Sequence, residues 1–127
     1  MTLYHLRSST TLSSDTTKNL DLTVPSGKIW RVHRVNMLNG DDVSRDVRVQ
    51  IRDSSGNLIH KVGGPLTLAA GASGDIIPYL KTAPDAEPGA ITILVKGGYN
   101  LRLIWAAGGA SSGGTAYYSI TYEEIPE

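Results

Sequence analysis

The chain has 127 residues, with 12 Lys plus Arg, 12 Asp plus Glu and no cysteine. One ordinary domain fits that length and two independent cores do not. Zero formal charge argues against nucleic acid or an anionic membrane as a partner, and the lack of thiols excludes disulfides and thiolate chemistry. The N-terminal MTLYHLRSSTTLSS lacks the basic start and apolar run of a secretory signal, so synthesis in the cytoplasm is expected. No run is long enough to span a membrane; the longest apolar candidate, residues 91–95, is strand length.

Residues 3–7 suit an edge strand or an extended arm. The SSTTLSSDTTK that follows reads as a Ser/Thr-rich connector with too little apolar content to pack by itself. Residues 1–18 are thus set apart from a β-sandwich domain at 19–127. Leu20, Leu22 and Val24 alternate with Asp21 and Thr23 as a strand, and Pro25-Ser26-Gly27 stops it as a turn with proline preset at its second position. From Ile29 to Leu38 the parity breaks: Trp30 and Val32 share one face, Val35 and Met37 the other. A bulge near His33 and Arg34 would restore one buried face.

NGDDVSRD at 39–46 carries turn formers and charge. Val47, Val49 and Ile51 then alternate with Arg48, Gln50 and Arg52, as a half-buried strand requires. Asp53-Ser54-Ser55-Gly56-Asn57 is a hairpin signal leading into LIHKV at 58–62. Gly63-Gly64-Pro65 reads as a break, followed by short extended pieces in PLTLA and DIIPYL. Pro78 demotes the second piece to an edge or a surface loop, and KTAPDAEPG at 81–89 is a proline-rich excursion. AITILV, the turn KGG and YNLRLIW read as a second hairpin, with Leu101, Leu103 and Trp105 on one face. A glycine-rich loop follows, and AYYSITYEE closes the sheet with Tyr118, Ile120 and Tyr122 on one face.

About eight short strands, frequent turns rich in the 14 glycines, and no sustained helical period describe an all-β, two-sheet antiparallel sandwich. A jelly roll is the preferred topology, with an immunoglobulin-like sandwich as the alternative. The candidate core is Trp30, Val32, Val47, Val49, Ile51, Leu101, Leu103, Trp105 and Ile120. The two tryptophans suit either core packing or an exposed aromatic platform for a sugar or partner.

No motif carries chemistry. His5, His33 and His60 are scattered without metal-ligand spacing. Asp41-Asp42, Asp85 with Glu87, and Glu123-Glu124 read as solvated charges of turns or the chain end, not as paired catalytic carboxylates. GASG at 71–74 is not a nucleophile elbow, and GGASSGGT at 108–115 lacks the ending and the helix of a phosphate loop. No catalytic residue, metal or cofactor is expected. The arginines Arg31, Arg34, Arg45, Arg48 and Arg52 form a candidate interface, since long side chains on an outward sheet face can cover a partner and pair with its carboxylates.

VPSGKIWRVHRVNM, SRDVRVQIRDSSGNLI, GGYNLRLIW and the closing tyrosine-rich strand with YEE resemble small virion proteins of tailed bacteriophages. The resembling stretch runs over residues 20–124. The resemblance implies a jelly-roll-like, non-enzymatic capsid decoration (cement) protein on the capsid exterior. Its implied partners are further copies of itself, as a homotrimer, and the major capsid protein. Residues 1–18 would suit an arm that orders on a neighbour. A tail-associated receptor- or carbohydrate-binding module is the alternative. The chain departs from the group's pattern at 81–89 and 106–115.

Overall fold

The computed structural model describes residues 2–77 and 93–127. These hold nine strands: β1 Leu3–Leu12, β2 Lys18–Thr23, β3 Lys28–Leu38, β4 Arg45–Arg52, β5 Leu58–Leu68, β6 Ser73–Ile77, β7 Ile93–Lys96, β8 Asn100–Trp105 and β9 Gly114–Pro126. β4 pairs with β5, β3 with β6 and β7, β2 with β8, and β1 with β9, all antiparallel. These nested pairs make one long antiparallel ribbon. Rolling the ribbon lays β9 beside β3 and β8 beside β4. Two sheets result, β1-β9-β3-β6 with β7 also on β3, and β2-β8-β4-β5, here called the β9 sheet and the β8 sheet. This is the double Greek-key order of a jelly roll, and the immunoglobulin-like alternative falls.

β6 lies along Val35 to Leu38 of β3 and β7 along Ile29 to Val32. The two are successive stretches of one edge position, so the nine strands fill the eight places of the ribbon. Pro78, the excursion at 81–89 and the start of AITILV lie outside the described residues.

Local signals set the turns. Lys28 N donates to Pro25 O (3.1 Å) and Gly27 has φ 79°, so the first turn is real, but Pro25 is its first residue and not its second. In the β4–β5 hairpin the Asp53 carboxylate accepts the Ser55 and Asn57 N–H groups at 2.9 and 2.8 Å. The pairing of β3 with β9 shifts between Val32 and Arg34, the bulge that the parity break predicts, and Trp30, Val32, Val35 and Met37 all point inward.

Three expectations need correction. AITILV and YNLRLIW do not form a hairpin: β7 belongs to the β9 sheet and β8 to the β8 sheet, and the Lys96–Tyr99 turn carries the chain across. Alternation reports which face of a strand is buried and is silent on which sheet holds it. The Ser/Thr-rich stretch is strand as far as Leu12, in unbroken register with β9, because that neighbour supplies the packing the stretch lacks. β5 runs through Gly63-Gly64-Pro65 with register shifts instead of ending there, which an edge strand tolerates.

The nine candidate core residues are each at most 6% exposed. Trp105 is fully enclosed, donates Nε1–H to Leu38 O (3.2 Å) and meets Tyr118 edge-on at 6.3 Å. Trp30 stacks on Tyr122 at 4.2 Å and donates to Glu124 Oε1 at 3.1 Å. Both indoles thus satisfy their polar N–H while burying the ring.

Candidate functional site

Inward Ala116, Tyr118 and Ile120 on β9 force Tyr117, Ser119 and Thr121 outward. Strand register then sets rows across the outer face of the β9 sheet. One row is Arg7, Ser119, Asn36 and Asp75, and the next is His5, Thr121 and Arg34. Small hydroxyl residues on β9 between longer side chains of β1 and β3 make a trough. It consists of two adjoining hollows of about 530 and 540 Å³ that share Arg7, Asn36, Ser73 and Ser119.

Polar contacts order its walls. Arg34 Nε and Asn36 Nδ2 each donate to Asp75 Oδ1 at 2.9 Å, and His5 Nδ1 lies 3.0 Å from Thr121 Oγ1. The Arg7 side chain makes no hydrogen bond or ion pair among the described residues. Tyr117, 57% exposed, stands at one end. Beyond the other end Glu123 is buried beneath His33 and Arg31, with His33 Nε2 at 2.6 Å and Arg31 Nη1 at 3.7 Å.

The candidate arginines do not form one surface. Arg31 and Arg34 lie on the outer face of the β9 sheet, while Arg48 and Arg52 lie on that of the β8 sheet, across the sandwich. Arg48 is exposed, and Arg52 donates to Gln50 Oε1 at 2.6 Å and to Gly56 O at 3.1 Å.

Arg45 is a correction: it is 1% exposed and belongs to the interior. Its guanidinium bonds the Asp41 carboxylate and the carbonyls of Ser13, Thr16 and Ala106, tying three connections together at one end of the sandwich. It shares parity with Val47, Val49 and Ile51, a signal that pointed inward all along. Asp41 and Glu123, at 3% and 4% exposure, likewise correct the reading of those carboxylates as solvated. Burial pushes the Asp41 carboxyl up, but hydrogen bonds from Arg45, Ser111 and the Asp42 backbone outweigh it and hold the group far below the usual carboxylate range. Asn39 completes the node, donating to Val43 O at 2.8 Å and Leu68 O at 3.0 Å and accepting the Asp41 N–H.

Sequence reasoning missed Arg7, His5, Asn36, Tyr117 and Asp75 as members of one face. Their alternation was readable strand by strand, but the neighbours come from residues far apart in the chain. Only register joins them.

No family model and no curated protein matches the chain. Among solved structures it is similar to one described as Bacillus endospore appendages that form disulfide-linked pili, at 14% identity and TM-score 0.44, over 95% of this chain and 86% of that one. It is also similar to a chain of infectious bursal disease virus Gx strain, at 9% identity and TM-score 0.46, over 95% of this chain and 32% of that one. The STIV MCP matches at 11% identity and TM-score 0.41, over 97% of this chain and 49% of that one. The chain thus spans about a third and about half of the two viral chains. The jelly roll itself stands on the strand pairing.

Proposed function

We propose that this protein is a non-enzymatic structural component of a tailed-phage virion, a decoration protein that binds the outer capsid surface as an oligomer and stabilises the shell. The resemblance of residues 20–124 to that group motivates the reading. The observation that carries it is where the resembling motifs fall. VPSGK, the GNL hairpin and LRLIW build turns and inward-facing strands, so they fix a sandwich whose two broad outer faces display Arg7, Arg34, Arg48 and many hydroxyls. Such faces suit hydrogen-bonded, charge-assisted contact with neighbouring shell subunits. A standard contact hides about 1,600 Å², and each bound copy stabilises the assembled shell by mass action.

The test is co-sedimentation of the purified protein with undecorated capsids. The reading requires saturable binding, weakened by reversing charge on one face (Arg34→Glu) or the other (Arg48→Glu). Absence of binding would sink it.

A second reading has its own observation. Tyr117 at the end of a trough lined by Arg7, Asn36, Ser73 and Ser119 is an aromatic platform beside hydrogen-bonding groups, the arrangement that holds a sugar ring. A tail-associated carbohydrate-binding module would use it. Glycan-array binding that disappears in Tyr117→Ala would favour that role.

A further inference from the structure

A sheet edge exposes unsatisfied N–H and C=O groups, and proteins ordinarily blunt such edges with short strands, lysine, proline or bulges. The four sheet edges among the described residues differ sharply. β2 is six residues long with Lys18 and Asp21 on it. β5 carries exposed Lys61 and Pro65, and its pairing with β4 shifts register three times. The fourth position is divided between β6 and β7. β1 is different: ten residues, Leu3–Leu12, in unshifted register with β9, with no proline and no lysine, and Arg7 as its one permanent charge. Leu3 and Tyr4, 49% and 44% exposed, lie at its start.

We propose that the edge of β1 is a pairing surface for β1 of a second copy of this chain, joining two β9 sheets into one continuous antiparallel sheet across a two-fold axis. The order of side chains along β1 chooses the occupant. An isologous pair keeps the buried-side residues of both copies on the same side of the joined sheet, so the axis must fall opposite a single residue. An axis at Arg7 would set guanidinium against guanidinium. An axis at Ser8 sets Arg7 opposite Ser9 of the second copy, His5 opposite Thr11, Leu6 opposite Thr10 and Tyr4 opposite Leu12, with no like charges facing. β1 is thus self-complementary in one long register, and main-chain hydrogen bonds supply the attraction. The inference does not rest on the virion reading. A trimer of the kind the resemblance implies would use other surfaces, and the β1 pairing would then join two trimers.

Ser8 is exposed and meets itself at the axis, which makes a charge swap decisive. The masses of wild type, Ser8→Lys, Ser8→Asp and an equal mixture of the two variants would be measured by light scattering after gel filtration, with melting curves alongside. The pairing predicts a wild-type particle with an even number of copies, half that mass in each variant alone, and restoration of the full mass in the mixture. Restoration also shows that both variants fold. An odd number of copies in wild type, an unchanged mass in either variant, or a mixture that stays at half mass would overturn it.

Discussion

The Arg45 guanidinium and the Asp41 carboxylate meet inside the protein, with Nη2 2.8 Å and Nε 2.9 Å from Oδ2 and neither side chain exposed. Two charges out of water are tolerated because no polar atom of either side chain is left without a hydrogen-bond partner. Arg45 also donates to three backbone carbonyls, and Asp41 also accepts Ser111 Oγ–H at 2.9 Å. The pair ties the β1–β2 connector, the loop before β4 and the loop before β9 into one polar node.

Removing one partner leaves a buried charge uncompensated. Arg45→Met is expected to cost about 3–5 kcal/mol, and Arg45→Met with Asp41→Leu less than that single change. Urea unfolding checks both. An unchanged midpoint for Arg45→Met would show that the node contributes nothing.

Acid attacks the same place. The folded-state pKa of Asp41 lies below its unfolded value, so the stability it contributes is complete above the ordinary carboxylate range and is lost as pH falls into and below it. Asp53 adds to the trend: the Asn57 backbone N–H, ahead of an opposing effect of burial, lowers its carboxyl as well. Wild type should therefore lose stability steeply below about pH 4, and the gap between wild type and Asp41→Asn should narrow as pH falls. Chemical unfolding over a pH series reads it; a gap that stays constant contradicts the account.

Two glycines separate close approach from backbone conformation. A Cβ at Gly40 would run into the Thr115 carbonyl oxygen, which is backbone and cannot swing away. At Gly56 a Cβ meets nothing within 4 Å, and only the φ of 86° resists substitution. Gly56→Ala should cost about 1–2 kcal/mol, and Gly40→Ala the upper end of the about 1–3 kcal/mol of overpacking or more. Melting temperatures in the reverse order would refute the packing argument.

Trp105 is enclosed on all sides, so Trp105→Ala should cost about 3–5 kcal/mol. Its melting midpoint should drop well below that of Tyr117→Ala, which removes an exposed ring.

Much of the fold was legible because period-two alternation and turn chemistry act over a few residues. The bulge at His33 and Arg34, the Asp53 hairpin and the inward set Val47, Val49 and Ile51 all come from local patterns. What alternation cannot carry is partnership. The Lys96–Tyr99 turn looks like a hairpin tip, yet it changes sheets, because β3 claims β7 while β2 and β4 claim β8. Residues 8–12, the second half of β1, read as a connector because their packing comes from β9, more than a hundred residues on. Arg45 had the parity of the core, but its charge suggested the surface until Asp41 was in place beside it. The rows of the outer trough need three strands in register, and no window of sequence contains them.

The most direct measurement is the copy number and position of this protein in intact particles, by quantitative protein staining of purified virions together with particle imaging. The account predicts many copies spread over the outer shell. A few copies at the tail or a vertex would contradict the decoration role and favour the carbohydrate-binding reading built on Tyr117, and complete absence from particles would contradict both.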